Sequence, residues 1–402
     1  MKCRICKTDN CYDVIRLGNQ KITSRFPDIN EPETLYSDMT LFQCNDCGLV
    51  QLKDLVLQSD LYEHTYGYRS GINEMMQSHL RDYNSEIQSK ISLRSGDFVL
   101  DIGSNDSTFL SFYPSYLKRV GCDPTGSQFA SYYSSDMSLV PDYFSKKAVE
   151  SISRKFKVVS SISMFYDLPD PVEFANDVFS VLDDDGIWTF EQSYIVEMLK
   201  NNSFDTICHE HIEYYALRQI KIILNKANMK IIHISENSCN GGSIRIYAAK
   251  NDSQHYEECV DIITGYINRE NEYGLNCAST YTDFMSRCDV QMKNLKEFLN
   301  VHPNTYIYGA STKGNCLLQY ANITLSDIPF AVERNKDKVG KTTSTGIPII
   351  SEEQMRESPP EFLLILPWHF KEQIIKRENL FLENGGKLVF PLPEFQVISK
   401  NN

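Results

Sequence analysis

The chain has 402 residues, 42% hydrophobic and 23% charged, enough for two or three domains with ordinary cores. Its formal charge of −13 argues against a nucleic-acid or anionic-membrane partner, since neither attracts an acidic surface. It has no membrane-length apolar run, and the start MKCRICKTDN lacks a signal peptide's apolar region, so we expect a soluble, cytoplasmic protein.

Residues 1–60 read as a small zinc-binding module. Cys3 and Cys6 form one Cys-x-x-Cys pair; Cys44 and Cys47, followed by Gly48, form a second. Each pair can grip one tetrahedral ion from a tight turn, and four thiolates make a closed, structural zinc site. Redox pairs or disulfides are the competing reading, disfavoured by a reducing cytoplasm. The other cysteines are scattered singly and read as buried thiols.

Residues 61–252 read as the second domain. Tyr62, Tyr66 and Tyr68 precede a helical pattern through Met75, Met76, His79, Leu80 and Tyr83, and could line a pocket. The stretch Phe98–Leu110, FVLDIGSNDSTFL, is a buried strand turning at Asp101 and Gly103 into a helix start. Such a corner offers a carboxylate for hydroxyl groups, close backbone approach and free N–H groups to a nucleotide-shaped cofactor. A second strand ends at Asp123, 22 residues on, where a ribose-reading acid is expected. Strands and helices then alternate to Gln192, which predicts an open parallel sheet.

Further along, Cys208-His209-Glu210-His211 is the most reactive-looking segment. The spacing is wrong for a helical zinc motif, and a base oriented by a carboxylate suits it better than a metal site. Asn240–Tyr247 reads as turn plus strand, placing Arg245 where it could meet an anion. Residues 253–402 form a helical connector and a second α/β domain. There Gly309–Gly314, with Lys313, can cradle a phosphate at a helix start.

The paired cysteines, DIGSNDSTFL, CDPTGSQF, ICHEHIEYY, NGGSIRIY and YGASTKGNCLLQY together resemble the S-adenosylmethionine-dependent C-methyltransferases of nucleotide-linked deoxysugar biosynthesis. The similarity spans essentially the whole chain. It implies an α/β architecture: a class I methyltransferase Rossmann-like core between the zinc module and a C-terminal Rossmann-like domain that helps hold an NDP-sugar. By resemblance His211 is the base that removes a proton beside a ketone, and Glu210 orients or assists it. His209 with Tyr66 or Tyr68 lines the sugar pocket. Asp101, Gly103, Ser104, Asn105, Asp123 and Pro124 would hold S-adenosyl-L-methionine, and Arg245 and Lys313 the diphosphate. Family members commonly carry glycine where Ser107 stands, which a helical backbone at the serine would tolerate, and some carry tyrosine where Cys208 stands. The expected partner is a small NDP-sugar substrate, with no nucleic acid or membrane, and the protein a monomer or small homo-oligomer. A sugar O-methyltransferase and a non-catalytic nucleotide-sugar-binding protein are the competing functions.

Overall fold

The computed structural model describes residues 1–29, 31, 35–57, 61 and 69–400. Tyr62, Tyr66 and Tyr68 lie outside the described residues. The chain opens with three antiparallel strands, β1 (Cys11–Lys21), β2 (Tyr36–Cys44) and β3 (Val50–Leu52). Next come the five parallel strands of the central sheet: β4 (Phe98–Ile102), β5 (Lys118–Cys122), β6 (Met137–Val140), β7 (Phe156–Ile162) and β8 (Leu182–Ser193). A short strand β9 (Glu213–Tyr214) then leaves this domain and pairs with β3, completing the N-terminal sheet. Strands β10 (Met229–Asn237) and β11 (Ser243–Lys250) return to the central sheet. Its order is β6-β5-β4-β7-β8-β11-β10, with β11 antiparallel to both neighbours, the class I methyltransferase arrangement.

Helix Glu74–Lys90 covers one face of that sheet. Asn73 caps it by accepting the Met75 N–H at 3.0 Å, and Met76, Leu80, Tyr83 and Ile87, three or four apart, are its buried stripe. They pack with Val99, Val158, Ile187 and Tyr247 from the strands. On the other side, Asp170 caps helix Pro171–Val181 through the Glu173 N–H, with proline at the helix start, where its missing N–H costs nothing.

After helices Val260–Tyr273 and Ala278–Val301 the C-terminal sheet begins. Its strands are β12 (Thr305–Tyr308), β13 (Ala331–Glu333), β14 (Ile349–Ser351), β15 (Phe362–Ile365), β16 (Lys387–Phe390) and β17 (Gln396–Ile398). The order β14-β13-β12-β15-β16-β17 is that of a doubly wound nucleotide-binding sheet, with β17 antiparallel. No helix among the described residues is long and apolar enough to cross a membrane.

Glu270, on the first connector helix, is buried and ties that helix to the central domain. It accepts the Leu217 N–H at 2.6 Å, the Arg218 N–H at 3.3 Å and the Tyr194 hydroxyl at 2.9 Å. Removing this acceptor strands several buried donors, each costing about 1–3 kcal/mol. Glu270→Ala should therefore lower the thermal unfolding midpoint clearly, and Glu270→Gln less, because its amide carbonyl still accepts.

Candidate active site

Two corners of similar construction flank the site. In the central sheet β4 delivers buried Asp101, and Gly103 turns the chain at φ 74°; a Cβ there would stand 3.2 Å from Met164 Cγ. Asp101 accepts the Ser160 hydroxyl at 2.6 Å, and burial raises its pKa to about 7. Asp123, just past β5, accepts the Asn105 N–H at 2.8 Å with one oxygen and the Thr125 N–H at 2.7 Å with the other. Ser104 Oγ lies 2.7 Å from the Tyr133 hydroxyl, and Pro124 is exposed on the turn after Asp123. From outside, Ser70 N–H donates to Asn105 Oδ1 at 3.1 Å, and Arg69 Nε lies 3.4 Å from Asp106.

Ser107 is not helical. Its φ of 62° is left-handed, which is the physical reason glycine suits this position, and its hydroxyl donates to the Tyr132 carbonyl at 3.0 Å.

In the C-terminal sheet Gly309 turns at φ 86° into helix Thr312–Tyr320, whose N-cap Ser311 accepts the Gly314 N–H at 3.0 Å. Glu333, ending β13, repeats the role of Asp123. One oxygen accepts the Ala310 N–H from the glycine turn at 3.0 Å, and the other accepts the Asn335 N–H at 3.0 Å. Lys313 donates to the Asn240 carbonyl at 2.8 Å, which brings the C-terminal corner against the loop before β11.

Between the corners lies the His-Glu-His segment. The carbonyl of Thr206 stands 2.9 Å from His211 Nδ1. A carbonyl only accepts, so the proton is on Nδ1 and Nε2 keeps its lone pair. The ring packs on Tyr166, centroids 4.2 Å apart, and burial with the nearby Lys313 ammonium holds its pKa down to about 3. His209 has the opposite tautomer. Its Nδ1 accepts the Thr23 N–H at 3.3 Å, which leaves the proton on Nε2, and the ring also bonds the backbone of Gln20. Burial lowers the His209 pKa to about 4 and raises that of buried Glu210. The group that orients His211 is thus a backbone carbonyl, and the expected orienting role of Glu210 is not met. The two histidines also do not converge on a metal: the metal-type clusters among the described residues are elsewhere.

Arg245 corrects another expectation. Its guanidinium is 8% exposed, stacks 3.5 Å over the Tyr83 ring, lies 2.6 Å from Glu191 and also pairs with Glu86. With both carboxylates on it, this cation neutralises buried Glu191 and half-buried Glu86 and is not available to a diphosphate.

At the N-terminal module, Cys3, Cys6, Cys44 and Cys47 converge without disulfides. Their sulfurs approach at 3.4 Å (Cys3–Cys47), 3.4 Å (Cys6–Cys44) and 3.9 Å (Cys6–Cys47). Zinc–sulfur bonds of about 2.3 Å in a tetrahedron separate the sulfurs by roughly 3.8 Å, so the set fits one closed tetrahedral ion.

Sequence comparisons agree with this architecture. Residues 3–62 match the family described as "Putative zinc binding domain", 76–234 that described as "Methyltransferase domain", and 238–393 that described as "C-methyltransferase C-terminal domain". The C-methyltransferase NovU of Streptomyces niveus is 30% identical over 410 residues, covering 99% of this chain and 97% of the relative. The chain belongs to the C-methyltransferase family. Among solved structures, an S-adenosylmethionine-dependent methyltransferase from Clostridium acetobutylicum is 14% identical, covering 43% of this chain and 92% of that one at a TM-score of 0.35. The N-methyltransferase NodS from Bradyrhizobium japonicum is 12% identical, covering 43% of this chain and 96% of that one at 0.32.

Sequence reasoning misses Thr206, Thr23 and Tyr166, whose roles depend on tertiary placement. Glu333 was within reach: it is an acid at the end of the strand that follows the Gly309 turn, as Asp123 is after the Gly103 turn.

Two measurements check these assignments. Metal analysis should give one zinc per chain, lost when Cys44 and Cys47 are both changed to serine. For His209, the unfolded imidazole binds its proton near pH 6.5, the folded one only near pH 4. Relative to His209→Asn, the wild type should therefore lose about 1.4 kcal/mol of stability per pH unit as pH falls from about 6 to 4. The difference between the two proteins is the readout, because the raised pKa values of Asp101 and Glu213 act in the opposite direction.

Proposed function

We propose that this C-methyltransferase uses S-adenosyl-L-methionine to methylate the carbon beside the ketone of a nucleotide-linked keto-deoxysugar. The observation that carries the reading is His211: a neutral imidazole, Nδ1–H fixed by Thr206 and Nε2 left with its lone pair, near Lys313 of the C-terminal domain. A C–H carbon becomes nucleophilic only as an enolate, so the reaction needs a base before it needs a methyl group. His211 Nε2 takes the proton. His209, two residues from the base, supplies an N–H donor for the oxygen on which enolate charge develops. Glu210, buried beside them, keeps the pocket polar without bonding the base.

S-adenosyl-L-methionine, when bound, supplies the electrophilic methyl group. Asp101, Gly103, Ser104, Asn105, Asp123 and Pro124 would hold it, with the carboxylate of Asp123 on the ribose hydroxyls; its two oxygens have acceptor capacity beyond the local N–H bonds. On the facing domain, the Gly309–Gly314 turn and Lys313 would take the diphosphate of the NDP-sugar and Glu333 the nucleoside ribose, by the same corner logic. One structural zinc at Cys3, Cys6, Cys44 and Cys47 completes the N-terminal module. The corresponding units are 1–60, 61–252 and 253–402.

Incubation with a nucleoside-diphosphate 4-keto-6-deoxyhexose in deuterated water should introduce deuterium beside the ketone, and added cofactor should give a product heavier by one carbon-bound methyl. His211→Ala should abolish both. Normal turnover by that variant would remove the base assignment, and methylation of a sugar lacking any ketone would favour O-methylation.

A further inference from the structure

The segment that carries His211 is gripped by a residue of the first cysteine pair. Arg4 sits between Cys3 and Cys6, partly buried. Its backbone N–H and one guanidinium nitrogen donate to Gln51 Oε1 at 3.0 and 3.2 Å, so Gln51 aims the side chain. The same nitrogen donates to the carbonyl of Ile212 at 3.2 Å, and the second terminal nitrogen donates to the carbonyl of Leu52 at 2.8 Å.

Ile212 follows His211 directly. Its carbonyl also accepts the Leu52 N–H at 2.8 Å, and its own N–H donates to the Tyr166 carbonyl at 3.0 Å. Tyr166 is the residue whose ring packs on His211. The peptide units on either side of Ile212 are thus fixed, one by Tyr166 and the other by the β3 edge and Arg4 together. The second cysteine pair adds to the grip, because Gln219, beyond β9, donates to the Cys47 carbonyl at 2.7 Å.

We propose that Arg4 is a positioning residue for His211, tying the place of the imidazole to the cysteine cluster through the Ile212 carbonyl. The proposal rests on His211 being the base. A backbone bond from Leu52 already completes the β-ladder at Ile212, so the guanidinium is not needed to form the strand. It restricts how far the segment can shift within its slot. Small displacements of a reacting group cost rate steeply, which gives such a restraint a catalytic consequence.

The test uses the zinc-loaded full chain and a nucleoside-diphosphate 4-keto-6-deoxyhexose that the wild type exchanges in deuterated water. Arg4→Ala should keep one zinc per chain and its affinity for S-adenosyl-L-methionine, yet exchange deuterium on the order of 10–100-fold more slowly. The acid limb of its exchange–pH profile should move upward, because a loosened, hydrated imidazole regains a pKa closer to the ordinary value of about 6.5. Arg4→Lys should recover part of the rate by restoring one donor. Gln51→Ala should shift rate and acid limb the same way, and it decides the matter if Arg4→Ala does not fold. Exchange at the wild-type rate, or a loss that simply follows zinc loss with the acid limb unmoved, would overturn the proposal. His211→Ala in parallel separates the two readings: if it exchanges normally, the base assignment fails whatever Arg4 does.

Discussion

The pairing of β9 with β3 is the constraint on which the candidate site depends. After β8 and helix Ile195–Lys200 the chain could return directly to the central sheet through β10. Instead Val50 pairs with Tyr214 and Gln51 with Glu213, so the stretch before them crosses to the N-terminal module. The His-Glu-His segment is thereby drawn into the seam where the three sheets meet. The third wall closes on it through Trp368, which donates to Asp205 at 2.8 Å, and through Asn315, which donates to the Thr23 carbonyl at 2.8 Å. Burial in that seam gives the two histidines their neutral state, since desolvation penalises an imidazolium.

The seam also buries polar groups. Among the described residues His369 Nδ1, close to Lys313, is buried without a hydrogen-bond partner. A buried orphan is costly to stability. At Glu191, by contrast, the buried charge is compensated. Glu191 is shared by His79 at 2.5 Å, Asn237 at 2.8 Å and Arg245, and that network is the reason Arg245 has no charge to spare for a ligand.

What could be read from the sequence was local. The cysteine pairs declare themselves by spacing, the Asp101–Gly103 turn by a strand that ends in an acid and a glycine, and the two α/β halves by alternating patterns. These features depend on residues within a few positions of one another, or on one recurring interval. The pairing logic at the site is long-range. Thr23 meets His209 across 186 positions, and Glu86 meets Arg245 across 159, so neither could be deduced from periodicity. The Glu210 reading is not met for a related reason: the chain bends at His209 and Glu210, and the orienting acceptor comes from a turn five residues back. Ser107 was misjudged because backbone handedness is set by how the loop must turn above Asp123, which composition does not report.

The central claim is that the fold holds His211 as a neutral imidazole with its proton on Nδ1 and a basic Nε2. Nitrogen NMR of the zinc-loaded protein labelled at histidine, with the resonance assigned by His211→Asn, tests this without any substrate. The account predicts an Nδ1–H, Nε2-unprotonated ring that stays neutral down to at least about pH 5, well below the ordinary histidine pKa of about 6.5. An imidazolium at pH 6, or a proton found on Nε2, would contradict it.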